Sequence, residues 1–495
     1  MRRREFIRLF GSAAVWSLGP ARAQPQVEDY ENYRTRLIDL YYDNQLETLV
    51  SRFQPNRKTV ILLPGGMASQ LQRTREAFPT WPNVPQDVIW LNVGLLTLRD
   101  GLKLEIDDAG KDKDAYVVVA HGPITFFKER PYQKLEDRAR GRGWNYSVFG
   151  FDWRRPLTES SANFASFIRE FRERVRKRFG TDPIPDLTIV CHSMGGLVAT
   201  HALRDEDFSG LGFNAVMTIA TPFYGTSNQQ DRYFVGEKSL KKLRYRAEDI
   251  VRIIASLPGP YTLMFLPKEV FDRDRSRIGL EDYPQRNPSH NPCDPFDSAM
   301  KQRWPKVVRD HWQYIENAKK EMIDIADPIK PNIAPKFFNV RSELDRGTAV
   351  ELIWGDVPGD SIDPNGPSPL EPIQGPGDGT VPAWSAFHAY CENENRHDLT
   401  QTEKTEHAYL LTNSEVLTLI ENVVTTGKLS AGHPKLRKKG AERPPAPSAE
   451  EVDSAMTKWV AESKGKRVLR PPPPVVQRAL VASLIGGTKP RMAAK

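Results

Sequence analysis

The sequence predicts an α/β protein with a mostly parallel central sheet and one large insertion. Three observations carry that expectation. Short apolar runs such as Thr59-Val60-Ile61-Leu62-Leu63 and Leu187-Thr188-Ile189-Val190-Cys191 stop at Gly- or Pro-marked loops, as strands buried on both faces do. Helical patterns alternate with those runs, which is the rhythm of parallel strands joined by crossover helices. The rhythm breaks between about 223 and 332, where Pro-Gly turns, a basic segment (Lys238 to Arg246) and scattered aromatics suggest an insertion over the carboxyl edge of the sheet.

The elements follow in order. Residues 24–57 read as a helical extension, with Tyr33, Leu37, Leu40 and Tyr41 at helical spacing. The body, 58–427, opens with the Thr59–Leu63 strand, which ends at Pro64-Gly65-Gly66. Residues 144–153 give a second strand, and 161–179 an amphipathic helix with Phe164, Phe167, Ile168, Phe171 and Val175 on one side. A third strand, 186–192, runs into Ser193-Met194-Gly195-Gly196 and a helix over 197–203. Further strands are expected at 215–220 and 337–340. No internal repeat is visible.

The 495 residues include 10 Trp, 15 Tyr and 22 Phe, enough for a sizeable core, so wholesale disorder is excluded. Three cysteines cannot make a disulfide framework. No run of 18 apolar residues offers a membrane-spanning helix. The net charge of +7 is uneven: residues 1–23 carry +4 and 428–495 carry +10, which leaves −7 on 24–427. A mildly acidic body argues against nucleic acid as a partner.

Both ends are basic for different reasons. Arg3-Arg4-Glu5-Phe6-Ile7-Arg8, a weakly apolar stretch to Leu18 and Ala21-Arg22-Ala23 resemble a twin-arginine export signal, with cleavage expected before Gln24. The compartment is then periplasmic or extracellular, and the chain folds before it crosses. Residues 428–495 read as a basic, Pro-rich and largely disordered tail, broken by a short helix over 448–463 with Ser448 and Glu451 as a capping box. Its positive charge suits peripheral contact with an anionic membrane surface.

The chemistry concentrates at Cys191-His192-Ser193-Met194-Gly195-Gly196. A serine on a sharp turn between strand and helix exposes its hydroxyl and needs small residues two positions before and after it. Gly195 meets the second demand, and Cys191 meets the first with a small but not minimal side chain. A base must take the hydroxyl proton and an acid must orient that base, in the order Ser, Asp, His along the chain. Asp378, between glycines in Gly375-Pro376-Gly377-Asp378-Gly379-Thr380-Val381-Pro382, is the candidate acid, with Asp345, Asp356 and Asp360 as rivals. His407, in a loop ahead of a helix capped near Asn413 or Ser414, is the candidate base, ahead of His388, His397 and His433. Backbone N–H groups of Met67 and Met194 would stabilise an oxyanion. The histidines lack metal-ligand spacing, and neither a metal nor an organic cofactor is implied.

Leu62-Leu63-Pro64-Gly65-Gly66-Met67-Ala68-Ser69-Gln70-Leu71, Phe149-Gly150-Phe151-Asp152-Trp153-Arg154, His192-Ser193-Met194-Gly195-Gly196, Gly377-Asp378-Gly379-Thr380-Val381-Pro382 and the His407 segment stand in that order. Over roughly 58–425 the chain resembles the lecithin:cholesterol acyltransferase family, which includes phospholipid:diacylglycerol acyltransferases and related phospholipases. The resemblance implies an α/β-hydrolase fold, Ser193, Asp378 and His407 as a triad, Met67 and Met194 as oxyanion donors, and a mobile lid within about 223–332. It also implies that Asp152, Trp153 and Arg154 lie close to the site, although Asp152 and Arg154 read equally well as a structural ion pair. Ala68 departs from the glycine common in that loop, and the family's lid disulfide cannot be placed. Cys293 and Cys391 either pair after export or stay as thiols, and Cys191 is expected to be buried.

The expected function is therefore serine-dependent acyl transfer or hydrolysis on lipid esters, with a phospholipid as acyl donor and water or an alcohol as acceptor. A general esterase or lipase, and a non-catalytic exported binding protein on the same fold, are the alternatives.

Overall fold

The computed structural model describes residues 30–74, 88–90, 104–107, 109–112, 117–180, 186–237, 240–241, 245–399, 406–429, 449–463 and 471–486. The export signal, its cleavage point, Ser448 and the basic stretches 430–448 and 464–470 lie outside the described residues.

In chain order the elements that matter are α1 (Tyr30–Arg52), β1 (Thr59–Leu63), β2 (Ser69–Thr74), β3 (Val117–Pro123), α2 (Gln133–Gly141), β4 (Asn145–Val148), α3 (Leu157–Phe179), β5 (Leu187–His192), α4 (Met194–Ala202) and β6 (Ala215–Ile219). The insertion supplies α5 (Ser227–Val235), α6 (Ala247–Ala255), α7 (Lys268–Ile278), β7 (Gln285–Arg286) and α8 (Trp312–Ala326). Then come β8 (Phe337–Arg341), β9 (Leu344–Trp354), β10 (Leu370–Gly377), β11 (Arg396–Asp398), α9 (Ser414–Thr426), α10 (Ala449–Ser463) and α11 (Pro474–Gly486).

All five residues of β1 are buried, which only a central strand covered on both faces can satisfy. It pairs in parallel with β4 and β5, inside a six-stranded parallel sheet of order β11-β8-β6-β5-β1-β4. Leu63 stands opposite Cys191, and His192 opposite Ile219, so the carboxyl ends of β1, β5 and β6 finish level. Consequently the loops after β1 and β5 are neighbours, the usual place for a site in such a sheet.

On α3, Leu157, Phe164, Phe167, Ile168, Phe171 and Val175 are buried, each worth roughly 1.5–3 kcal/mol when taken from water into the core. Phe171 packs edge-on against Phe53, and Ser161 Oγ donates to Val198 O at 3.0 Å, tying α3 to α4. Gly180, at φ 73°, ends the helix in the left-handed region. Beside the main sheet, β9 and β10 form an antiparallel hairpin joined by β7, and β10 runs out at Gly377.

Several expectations need correction. The strand expected over 144–153 stops at Val148, where its neighbour β1 runs out, and Asp152 Oδ1 then accepts from Arg154 N, turning the chain. Leu40, counted on the apolar side of the N-terminal helix, is 42% exposed, while Leu46, Leu49 and Val50 are buried. In the tail, α10 falls where a helix was expected, and α11 is a second helix that was not. Pro474 opens α11 at the first helical position, where a missing N–H costs nothing. Val476, Leu480, Val481 and Leu484 follow at helical spacing and are fully buried. Prolines and basic residues dominate that region's composition and hide this stripe. Among the described residues no helix is long and apolar enough to cross a membrane.

Candidate active site

Ser193 sits between β5 and α4 with φ 52° and ψ −128°, a conformation that costs a non-glycine residue about 1–3 kcal/mol and that marks a strained turn. The surroundings explain the small neighbours. A Cβ on Gly195 would lie 2.5 Å from Pro64 O and 2.6 Å from Leu63 O, and one on Gly196 would collide with Thr221. Cys191 fits two residues before the serine because it points into the core, where burial pushes its thiol pKa well up.

Asp378 follows β10 directly. Its Oδ1 accepts from Thr380 N at 2.9 Å and Val381 N at 2.7 Å, and its Oδ2 accepts from His407 Nδ1 at 2.6 Å. Gly379, at φ 89°, permits that turn, and its N–H donates to Thr348 Oγ1. Both side chains are buried. With Nδ1 as donor, a neutral His407 keeps its lone pair on Nε2, which is buried and has no hydrogen-bond partner among the described residues.

His407 packs against His192, the residue directly before Ser193, with ring centroids 4.8 Å apart. The hydrogen bonds around His192 assign its tautomer. A carbonyl can only accept, so His192 Nε2 donates to His407 O at 3.0 Å, and Nδ1 accepts from Tyr132 OH at 2.9 Å. The Tyr132 oxygen in turn accepts from Gly65 N at 2.9 Å. Burial, and then the nearby His407, hold His192 well below the usual histidine pKa, so it is neutral. This chain links the loop after β1 to the backbone of His407. Sequence reasoning missed Tyr132 and His192; the only available signal was the histidine beside the serine.

Met67 has φ 59° in the loop after β1, and its carbonyl accepts from Trp90 Nε1 at 2.6 Å. Met194 is the first residue of α4, where a backbone N–H has no acceptor one turn earlier in the helix. Both border a cavity of about 40 Å³ at Ser193, together with Gly66, Trp153, Arg232, Leu263 and Ile485. Of Asp152, Trp153 and Arg154, the structure brings only Trp153 to that cavity. Arg154 is fully buried and bonds Asp152 through Nε (2.9 Å) and Nη2 (2.6 Å), Asp112 Oδ1 at 2.8 Å and Leu104 O at 3.0 Å. Asp152 and Arg154 are thus a structural ion pair, which corrects their place among the substrate-site candidates. The second carboxylate of this cluster, Asp112, is distant in sequence and was not foreseen.

The rival residues are engaged elsewhere. Asp356 pairs with Arg303 and Asp360 with Arg309; the Asp345 side chain and His433 lie outside the described residues. His388 is buried between Ile325 O, 2.8 Å from its Nε2, and Tyr390 N, and burial lowers its pKa to about 4. His397 pairs with Glu415. Cys191, Cys293 and Cys391 are all buried free thiols.

A serine on a strand-to-helix turn at the carboxyl edge of a parallel sheet, preceded by a histidine that packs against a buried Asp–His pair, fits the α/β-hydrolase class. A model of the alpha/beta hydrolase family matches residues 117–411, more than half of the chain, and the chain belongs to that family. At 25% identity over 169 residues it is similar to YJR098C, an uncharacterized protein of Saccharomyces cerevisiae; the match covers 34% of this chain and 23% of that one. Among solved structures it is similar to a chain of the Tle4-Tli4 complex (TM-score 0.45, 14% identity, 74% of this chain and 97% of that one). It is also similar to Bacillus licheniformis lipase BlEst2 in mature form (TM-score 0.35, 10% identity, 75% and 93%).

Proposed function

We propose that the protein is an exported serine acyl hydrolase or O-acyltransferase acting on lipid esters, within the lecithin:cholesterol acyltransferase-like branch of its family. The observation that carries this reading is the buried 2.6 Å bond from His407 Nδ1 to Asp378, with the His407 ring packed against His192, the residue before the strained Ser193. Ser193 Oγ attacks the ester carbonyl while His407 Nε2 takes its proton, and Asp378 stabilises the resulting imidazolium. The carbonyl oxygen, now negative, receives the Met67 and Met194 N–H groups. The leaving alcohol then takes the proton from His407 as the tetrahedral intermediate collapses to an acyl-Ser193. Water or a second alcohol, deprotonated by His407, attacks that ester and regenerates the serine. Met67, Trp153, Met194, Leu263 and Ile485 give the cavity apolar walls, which favours lipid over small polar substrates.

Fluorophosphonate labelling of the wild type and of Ser193→Ala tests the core of this reading, which predicts label on the wild type alone. Folded wild-type protein that resists labelling in detergent as well as in buffer would instead indicate a binding protein. Incubation with a labelled phospholipid plus a sterol or diacylglycerol then separates hydrolysis from transfer: free fatty acid reports the first and a new ester the second.

A further inference from the structure

Tyr132 and His192 are buried polar side chains that take no part in the proton transfers proposed for Ser193 and His407. Tyr132 stands at the start of α2, and His192 is the last residue of β5. Their bonds converge on the two groups that flank the nucleophile. On one side, Gly65 is fixed at both of its backbone polar atoms. Its N–H donates to Tyr132 Oη, and its carbonyl accepts from Ala68 N at 3.1 Å, closing a turn whose third residue is Met67 at φ 59°. A Cβ on Gly65 would lie 3.1 Å from Ser193 Cβ and 3.2 Å from His192 Nδ1, so this turn rests directly against the end of β5. On the other side, the backbone of His407 is also held twice. Its N–H donates to Asp378 O at 3.3 Å, and its carbonyl accepts from His192 Nε2.

The chain of bonds runs in one direction only. Gly65 N–H can only donate, so the Tyr132 oxygen accepts from it and spends its single hydrogen on His192 Nδ1. That leaves the one ring hydrogen of His192 on Nε2, where the His407 carbonyl requires it. Burial keeps the Tyr132 phenol protonated, and burial with the adjacent His407 keeps His192 neutral, so no second hydrogen disturbs the order. A buried network whose members are all satisfied holds its parts in one arrangement, and removing one member leaves the others unpaired where water does not replace it.

We propose that Tyr132 and His192 are positioning residues for acyl transfer at Ser193: through this chain they hold the turn that presents Met67 N–H and the backbone that carries the His407 imidazole in one fixed relation. The proposal rests on Ser193 and His407 being nucleophile and base. Neither Tyr132 nor His192 touches the ester, and each acts through another group. A transition state tolerates misplaced donors and bases less than a bound substrate does, so loosening the chain should cost turnover rather than binding.

Tyr132→Phe removes one oxygen atom and with it two bonds. In the full chain, kcat on a p-nitrophenyl ester should fall about 10- to 100-fold while KM stays within about twofold of wild type. The Ki of phenylboronic acid, whose boron takes the Ser193 oxygen and becomes tetrahedral like the transition state, should rise by about the same factor as kcat falls. His192→Leu should show the same split. His192→Gln, whose side-chain NH2 can still donate to His407 O, should recover most of the kcat that His192→Leu loses. Circular dichroism melts of each variant fix the folded fraction to which its rate is referred. A folded Tyr132→Phe with wild-type kcat and Ki, or one whose loss is confined to KM or to the unfolded fraction, overturns the positioning role and leaves the nucleophile intact. Wild-type protein that takes no fluorophosphonate label in buffer or detergent overturns the reading of Ser193 itself. Should Tyr132→Phe fail to fold, the His192 variants decide: Gln well above Leu supports the chain, and equal kcat in the two overturns it.

Discussion

Replacing Asp378 by Asn isolates one proton. In the wild type, Asp378 Oδ1 accepts two backbone N–H groups, from Thr380 at 2.9 Å and Val381 at 2.7 Å, and Oδ2 faces His407 Nδ1 at 2.6 Å. An asparagine keeps the two backbone bonds only with its oxygen at the Oδ1 position, which turns its NH2 toward His407 Nδ1. His407 must then accept at Nδ1 and carry its hydrogen on Nε2, the tautomer that cannot take a proton from Ser193. The same substitution in other Ser-His-Asp sites lowers kcat about 10⁴-fold. At 1.36 kcal/mol per decade, that is about 5.4 kcal/mol of transition-state stabilisation. Because shape and backbone bonding are retained, KM and the melting temperature should stay near the wild-type values. Initial rates on a p-nitrophenyl ester, with a circular dichroism melt of the same samples, measure both. A folded Asp378→Asn variant within about tenfold of wild-type kcat would refute the tautomer argument.

Three further outcomes follow from the geometry. Arg154→Ala leaves Arg155 as the cation for both Asp152, at 3.8 Å, and Asp112, and losing one partner of a buried ion cluster in this way typically costs about 3–5 kcal/mol, read as a lower urea midpoint at pH 7.5. Gly195→Ala sets a Cβ against Pro64 O and Leu63 O, both backbone atoms, and should destabilise by about 1–3 kcal/mol or more with loss of fluorophosphonate labelling; an unchanged melt would contradict the packing. His388, lowered by burial to about 4, binds its proton less readily folded than unfolded, where the value is about 6.5. Between those values the unfolded state holds more protons, so stability falls as pH drops through that window, by at most about 3 kcal/mol in total. His388→Gln should flatten the difference between urea midpoints measured at pH 7.5 and pH 5, and an identical difference would exclude His388 as its source.

The sequence was most legible where one strand's burial demands a repeating chemistry. Thr59–Leu63 and Leu187–His192 are apolar on both faces, and their glycine-marked ends announced the loops that carry Met67 and Ser193. Asp378 and His407 could be read from order and from flanking residues. What stayed hidden depended on contacts between distant segments. Arg396-His397-Asp398 is polar and three residues long, and becomes a strand only because β8 offers it an edge. Tyr132 gains its meaning from Gly65 and His192, 67 residues before it and 60 after. Asp112, the second carboxylate on Arg154, lies on the far side of β3 in sequence. In α11 the apolar stripe was present, but four consecutive prolines and abundant positive charge outweighed it.

The three cysteines have a consequence for the chain's life history. None is cross-linked, and each is shut inside the protein. The fold therefore reaches completion without an oxidant, and reductant should leave its melting temperature where it was. If the amino-terminal segment passes the chain across a membrane as a finished body, the move from a reducing to an oxidising compartment takes no covalent bond away and requires none to be made.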